Sequence, residues 1–222
     1  MASDYRPARE IGGDFFDVFP VMEPSLPDRL ALVIADVSGK GISAALLMAF
    51  LRPVIRAAID HTGDPVEALE RVNRILVDER HTGMFVTVLC GVLDLRRGEL
   101  RCASAGHEAP ILIPADGSAP RAAPDGGPLM GLFARLGLEE QRLAIGPGDL
   151  LALYTDGVTD AVSPAGERYG DERLLARLRE GSRTADADAV VQSVVADVLA
   201  FQGDALPADD LALLVLRRPP AT

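Results

Sequence analysis

Four continuous apolar runs are the clearest hydrophobic pattern along the chain. Residues 30–35 form one such run, which is typical of a strand buried on both faces. Residues 150–154 and 211–216 repeat the pattern, and residues 85–94 are apolar and rich in β-branched side chains. Glycine, proline or acidic residues bound each run, so we predict a core strand at each of these four places.

Weaker strand patterns fill most of the remaining chain. We predict further strands over residues 99–104, 106–113 and 138–145, the first of them as the second half of a hairpin. Residues 10–19 are also apolar, but Gly12 and Gly13 interrupt them. Glycines inside a strand mark a deformation or a close approach of backbone, so this strand should be distorted there. Loops are predicted over residues 22–29, 116–117 and 125–127.

Apolar residues at helical spacing predict four helices, over residues 43–61, 65–79, 169–179 and 187–201. In the first helix we expect a buried face made of Leu46, Leu47, Phe50, Val54 and Ile55. Pro53 should kink or interrupt that helix. Asp64 is the expected N-cap of the second helix, whose buried face should contain Val66, Leu69, Val72, Ile75 and Leu76.

Composition limits the partners that the chain can bind. The formal net charge of the 222 residues is −11, which argues against nucleic acid or an anionic membrane as a partner and suits cation binding. We expect a cytoplasmic protein, because no apolar run is long enough for a signal peptide or a membrane span. Cys90 and Cys102 lack the spacing of a zinc site, and we expect them to be buried and reduced.

Isolated aspartates border several of the predicted core strands. Asp14 follows the glycines of the first strand, and Asp36 ends the run over residues 30–35. Asp156 ends the run over residues 150–154, and an acidic pair, Asp209–Asp210, precedes the closing strand. Any one of these could be an ordinary turn residue. Four acidic positions at four core strands favour a shared site, because a buried carboxylate is costly without a cation or hydrogen-bond donors.

The segment Gly39–Lys40–Gly41 raises the alternative of a nucleotide-binding P-loop. A P-loop requires a glycine five residues before the Gly-Lys pair, and Ile34 occupies that position. It also requires serine or threonine after the lysine, where this chain has Gly41. The P-loop interpretation is therefore excluded. Lys40 is the single lysine of the chain, and it remains either a functional residue or a simple turn residue.

Six segments together resemble the metal-dependent PPM/PP2C-type serine/threonine phosphatases, within them the bacterial SpoIIE/RsbU-like branch. They occur in that family's order and span nearly the whole chain. The segments are PAREIGGDFFD, ADVSGKGISAALLM, FVTVLCGVLD, ASAGHEAP, LYTDGVTDA and DDLALLVLR. The resemblance implies an α+β fold, an α-β-β-α sandwich of two antiparallel sheets flanked by helices. It also implies that residues 1–222 are one such domain, in the C-terminal part of a longer protein.

The resemblance implies a site for two Mn²⁺ or Mg²⁺ ions. Asp14 and Asp36 match the ligands of one ion, together with the carbonyl of Val37. Asp36 also bridges to the second ion, whose remaining ligands match Asp156 and Asp209. The implied reaction is phosphoester hydrolysis by a metal-bridging water, in which these four aspartates act through the metals.

The same resemblance implies partners. The expected substrate is a phosphorylated STAS-type antagonist of an anti-sigma factor, in bacterial stress or developmental signalling. An upstream sensor domain and a homodimer are further expectations. The alternative is a degenerate phosphatase fold that binds metal or a partner without turnover.

Some positions depart from the family pattern or are not fixed by it. Ala212 stands where the family often has threonine or serine, and the acidic pair leaves Asp209 and Asp210 as alternatives, of which we favour Asp209. Arg6 and Arg9 are candidates for phosphate binding or solvent-facing charges. His107 could contact the active site or satisfy a strand-end carbonyl, and we favour the structural interpretation.

The helix over residues 43–61 offers a regulatory hypothesis. It follows the Asp36 turn directly, so a movement of the helix would pull on that aspartate. Arg52 and Arg56 are expected to face solvent, and to be suitable positions for testing whether the helix affects metal affinity. The alternative is a helix that only covers a sheet.

Overall fold

A computed structural model describes residues 1–22, 28–78, 83–123, 126–183 and 186–220. Contacts divide the chain into two compact units. The first unit contains residues 1–10, 110–122 and 145–222, and the second contains residues 11–109 and 123–144. The predicted loop over residues 22–29 lies largely outside the described residues, as do position 125 of a second predicted loop and position 79 of the second predicted helix.

The second unit is an antiparallel sheet covered by two helices. Its strands lie in the order β2-β3-β4-β5-β8. The elements are β2 (Phe15–Pro20), β3 (Arg29–Val37), α1 (Ile42–Thr62), α2 (Pro65–Asp78), β4 (Val86–Asp94), β5 (Glu99–Ala105) and β8 (Gln141–Ala144). One face of β3 packs in the same core as both helices, through Ala31, Val33, Ala35 and Val37. The residues between them, such as Leu32 and Ile34, are buried too, so β3 is the two-sided core strand that its apolar run predicts.

The first unit is a second antiparallel sheet with three helices. Its strands lie in the order β1-β10-β9-β6-β7. The elements are β1 (Ala2–Arg6), β6 (Ile111–Ile113), β7 (Arg121–Ala122), β9 (Leu150–Tyr154), α3 (Asp156–Thr159), α4 (Gly170–Gly181), α5 (Ala187–Gln202) and β10 (Leu211–Arg217). Valines of α5 pack with Leu174 and Leu178 of α4 and with Leu213 and Val215 of β10 in one core. Two antiparallel sheets with associated helices confirm the predicted α+β class.

The ends of α1 and α2 follow from their capping residues. Gly63 ends α1 in the left-handed conformation, and its N–H donates to the carbonyl of Ile59 at 2.8 Å. The side chain of Asp64 then accepts from the N–H of Glu67 at 3.0 Å, which confirms Asp64 as the N-cap of α2.

The buried face of α1 differs from the prediction. The helix runs through Pro53 as one element of 21 residues, so the expected interruption does not occur. Leu46 is 67% exposed, whereas the prediction placed it in the core. The buried residues are Ala44, Leu47, Leu51, Ile55, Ala58 and Ile59. The prediction followed the largest apolar side chains, whereas the buried face also includes two alanines, Ala44 and Ala58.

By length and composition alone, α1 is long and apolar enough to cross a membrane, contrary to the sequence-based expectation that no segment qualifies. Helices in the cores of soluble proteins pass the same test. Six of its residues are buried in the core of the second unit, and 33% of its most apolar window is buried.

Several edge elements were missed or predicted too long. β1 and β7 were not predicted, because both are short and largely exposed. β6 spans only three residues of the predicted strand over residues 106–113, since Gly106 takes a positive φ of 70° and Pro110 cannot donate to a ladder. β8 is likewise shorter than its predicted range. Cys90 and Cys102 are buried, reduced thiols on neighbouring strands, as predicted.

Candidate metal centre

In the second unit, the β2–β3 register brings the first pair of predicted ligands together. The β2–β3 ladder ends at the pair Phe15–Ala35, and Asp14 and Asp36 are the next residues beyond that pair. Asp14 is buried and Asp36 is half-buried. Neighbouring carboxylates repel each other unless a cation lies between them.

Gly13 allows the backbone before Asp14 to lie against Val37. A Cβ atom at position 13 would lie 2.9 Å from the carbonyl oxygen of Val37 and 3.3 Å from the Cβ of Ala44. Its φ is not in the left-handed region, so the glycine is required here by space rather than by backbone conformation. The Asp14 backbone and the Val37 carbonyl, both predicted to serve the same ion, are therefore neighbours.

The turn that follows Asp36 is fixed by hydrogen bonds and by glycine. Ser38 donates its N–H to the carbonyl of Phe85 at 2.9 Å, and its Oγ accepts from the Phe85 N–H at 2.8 Å. Gly39 and Gly41 have φ values of 91° and 82°, which other residues rarely adopt. Lys40 is exposed between them. This turn ties the end of β3 to the start of β4 and delivers the chain into α1.

In the first unit, Thr155 holds the end of β9 against β10. Its N–H donates to the carbonyl of Ala212 at 3.1 Å, and its Oγ1 accepts from the Ala212 N–H at 3.0 Å. The threonine side chain thus replaces a backbone carbonyl at the last rung of the ladder. Asp156 follows as the first residue of α3. Ala212 has no hydroxyl group with which to stabilise this end of the ladder, and the hydroxyl of Thr155 stabilises it instead.

Gly157 makes the corresponding close approach in this unit. A Cβ atom at position 157 would lie only 1.8 Å from the carbonyl oxygen of Asp210 and 2.7 Å from its carbonyl carbon. Any side chain here would push β10 away from α3. The glycine after Asp156 therefore brings the backbone that carries Asp156 against the backbone that carries the acidic pair, as Gly13 does for Asp14 and Val37.

The two acidic residues before β10 have different surroundings. Asp210 is buried, and its Oδ1 accepts from the N–H of Ala8 at 2.7 Å. Asp209 is half-buried, and its Oδ1 accepts from the N–H of Asp210 at 3.0 Å. The Asp210 carboxylate therefore fastens the chain after β1 to the start of β10. This arrangement favours Asp209 over Asp210 as the ligand.

The donor set fits a hard divalent cation. The proposed donor set contains four carboxylates and the Val37 carbonyl beside Gly13. Carboxylate and carbonyl oxygens are the ligands that Mg²⁺ and Mn²⁺ prefer. Among the residues that the structure describes, no three or more histidine, cysteine or acidic side chains are grouped closely enough to hold a metal ion.

The remaining candidate residues have other contacts. Arg6 donates from its Nε to Asp4 at 3.0 Å at the surface, and Arg9 is exposed. His107 is buried, and its Nδ1 lies 2.8 Å from the Oγ1 of Thr87 rather than at a strand-end carbonyl. Sequence reasoning did not identify Thr155 or Thr87, because a threonine beside a strand is common and only pairing register reveals its partner.

Arg52 and Arg56 are exposed on α1, as predicted, but neither is freely solvated. Both bind the buried carboxylate of Asp17, Arg52 at 3.2 Å and Arg56 at 2.9 Å. The Arg56 guanidinium also lies over the Phe19 ring, 4.4 Å from its centroid. Substituting either arginine would leave a buried carboxylate with fewer donors, so these positions do not test regulation by α1 separately from stability.

The fold is that of the PP2C-type phosphatase domains. The SiaA-PP2C domain of Pseudomonas aeruginosa superposes with a TM-score of 0.84, over 97% of this chain and 84% of that one, at 22% sequence identity. The RsbU and RsbW domains of Rv1364c from Mycobacterium tuberculosis superpose with a TM-score of 0.81. That match covers 100% of this chain and 60% of the other at 30% identity.

The family model for Stage II sporulation protein E matches residues 27–219, and the chain belongs to this SpoIIE family. Protein IcfG of Synechocystis is 29% identical over 96% of this chain and 37% of its own length. The phosphoserine phosphatase RsbU of Bacillus subtilis is 26% identical over 96% of this chain and 61% of its own length. The chain therefore spans less than two thirds of the length of each of these relatives.

Proposed function

We propose that this chain is a protein serine/threonine phosphatase that hydrolyses a phosphoester with two Mn²⁺ or Mg²⁺ ions. The observation that carries the proposal is the pair of glycine contacts, Gly13 against Val37 and Gly157 against Asp210. Each holds the backbone of one proposed ligand against the segment that carries another. Membership of the SpoIIE family and similarity to the phosphoserine phosphatases RsbU and RsbP of Bacillus subtilis support the same activity.

The proposed ligand set is Asp14, Asp36, the Val37 carbonyl, Asp156 and Asp209. Asp14, Asp36 and Val37 would hold one ion, while Asp36, Asp156 and Asp209 would hold the other. When bound, two such ions supply a nucleophile at neutral pH and offset the charge of the phosphate. These residues would hold the ions, and the backbone contacts of Ser38 and Thr155 would support the segments that carry Asp36 and Asp156.

The proposed substrate is a phosphorylated serine or threonine of a STAS-type antagonist of an anti-sigma factor. Similarity to RsbU supports this class of substrate, and the Mycobacterium tuberculosis relative carries an RsbW domain on the same chain as its RsbU domain. A cytoplasmic location and control by an upstream sensor domain belong to the same proposal. So does action as a dimer.

Removal of divalent metal should abolish the activity. We expect hydrolysis of para-nitrophenyl phosphate and of a phosphoserine peptide to stop in excess EDTA and to return on addition of Mn²⁺, because no residue of the proposed set is itself the nucleophile. EDTA saturated with Mn²⁺ before its addition serves as the control for effects of the chelator alone. Full activity in excess chelator would refute the metal mechanism, whereas metal binding without hydrolysis of either substrate would favour the degenerate, non-catalytic alternative.

A further inference from the structure

His107 is a buried, hydrogen-bonded residue to which the proposed metal chemistry assigns no role. Its side chain has 0% exposure. Its Nδ1 lies 2.8 Å from the Oγ1 of Thr87, and the carboxylate of Glu108 lies 3.6 Å from the same nitrogen. Placing an imidazole inside a protein costs free energy unless its polar atoms are bonded, so the ring is held there by specific contacts.

The backbone around His107 fixes the direction of the ring. Ser104 donates its Oγ–H to the His107 carbonyl at 3.0 Å, and the same Oγ accepts from the His107 N–H at 3.1 Å. Gly106 turns the chain between them with a φ of 70°. Gly126 lies over this turn so closely that a Cβ there would be 2.1 Å from the Ser104 Oγ. The imidazole is thus directed back from the end of β5 towards β4.

The threonine that His107 contacts, Thr87, lies beside one of the proposed ligands, Asp36. In the β3–β4 register, Thr87 is the direct partner of Asp36. Paired residues point to the same face of a sheet, with Cβ atoms about 4.5–5.5 Å apart. On the other side of β3, Asp14 directly follows the last β2–β3 pair, Phe15–Ala35, so it lies at the same end of the sheet as Asp36 and Thr87. His107 thus contacts the strand partner of Asp36.

We propose that His107 is a positioning residue for the metal centre, acting through Thr87 on the carboxylate of Asp36. The assignment requires the proton on Nδ1, which then donates to the Thr87 Oγ1. The Thr87 hydroxyl accepts from His107 in this arrangement, so its own single hydrogen remains available to donate to the carboxylate of Asp36. Second-shell hydrogen bonds of this kind orient metal ligands, and their loss costs about 10–100-fold in metal affinity or activity. The inference rests on the proposed function.

The test measures Mn²⁺ affinity directly, by calorimetry on the full chain without substrate. Thr87→Val keeps the shape of the side chain and removes the hydroxyl, so we expect Mn²⁺ binding to weaken by about 10–100-fold. Thr87→Ser restores the hydroxyl and should recover most of the affinity. The matched control is Thr62→Val, which removes a hydroxyl bonded to the Ala58 carbonyl at 2.9 Å in α1 and should leave Mn²⁺ affinity unchanged.

Variants of His107 test the assignment of the nitrogen even if Thr87→Val fails to fold. An asparagine amide can take the place of Nδ1 and donate to Thr87, whereas a glutamine amide reaches the place of Nε2. We therefore expect His107→Asn to bind Mn²⁺ more tightly than His107→Gln. Equal affinity of these two variants, or wild-type affinity in Thr87→Val, would overturn the inference. Failure of the wild-type chain to bind Mn²⁺ at all would instead refute the proposed function.

Discussion

Asp36→Asn should reduce phosphatase turnover by more than about 100-fold, because loss of even an outer-shell partner of a metal costs about 10–100-fold and Asp36 is proposed as a direct ligand of both ions. The side chain keeps nearly the same shape, so packing against β2 and β4 should be preserved. The chain should remain folded, since asparagine also relieves the repulsion between this carboxylate and Asp14. Turnover with saturating Mn²⁺ and the thermal midpoint of the metal-free chain are the two measurements.

The matched control for Asp36 is Asp94, which lies at the other end of the β3–β4 pair. Asp94 is the last residue of β4 and pairs in register with Arg29, so it is also an aspartate at a strand end. Its Oδ1 accepts from the N–H groups of Arg96 and Arg97 in a turn. Asp94→Asn should leave turnover near the wild-type value. Normal turnover of Asp36→Asn would refute the proposed bridging role of Asp36. An unfolded Asp36→Asn chain would indicate that the carboxylate is needed for folding.

Gly157→Ala should destabilise the chain by about 3 kcal/mol or more, at the upper end of the cost of overpacking. The new Cβ would lie 1.8 Å from the Asp210 carbonyl oxygen, and a backbone atom cannot rotate aside as a flexible side chain can. The start of β10 would have to move, and Asp209 with it, so Mn²⁺ binding should weaken as well. Urea unfolding followed by circular dichroism measures the stability.

Gly166→Ala separates this steric cost from the general cost of replacing a glycine. Gly166 has a φ of 83° and open space where its Cβ would be. Alanine at position 166 should lower the free energy of unfolding only through the cost of the left-handed conformation, about 1–2 kcal/mol. If Gly157→Ala lost no more stability than Gly166→Ala, the close approach of α3 to the start of β10 would not constrain this region.

The sequence predicts the core strands well because a continuous run of apolar residues indicates burial on both faces. The run at residues 30–35 is apolar on both faces, and β3 is buried on both faces. The edge strand β1 carries no such pattern. It is held by pairing with β10, from Ala2–Val215 to Arg6–Leu211, and pairing between distant segments leaves no periodicity in either one.

The same distinction applies to the candidate site. Strand ends and glycines identify the aspartates one at a time, but the register that sets Asp14 and Thr87 on either side of Asp36 is visible only in the folded sheet. Arg52 and Arg56 illustrate the converse. Their exposure was predicted and is confirmed, but their ion pairs with the buried Asp17 on β2 were not predicted, because sequence periodicity cannot reveal a partner on another element.

The stoichiometry of Mn²⁺ binding tests the central claim most directly, because the proposed ligand set binds two ions. Calorimetric titration of the wild-type chain should show two ions per chain. Asp36→Asn and Asp156→Asn should each weaken binding, and the double variant should lose less than the sum of the two single losses, because both residues are proposed as ligands of the same ion. Two ions bound with additive losses, or no Mn²⁺ bound by the wild-type chain, would contradict a shared metal centre.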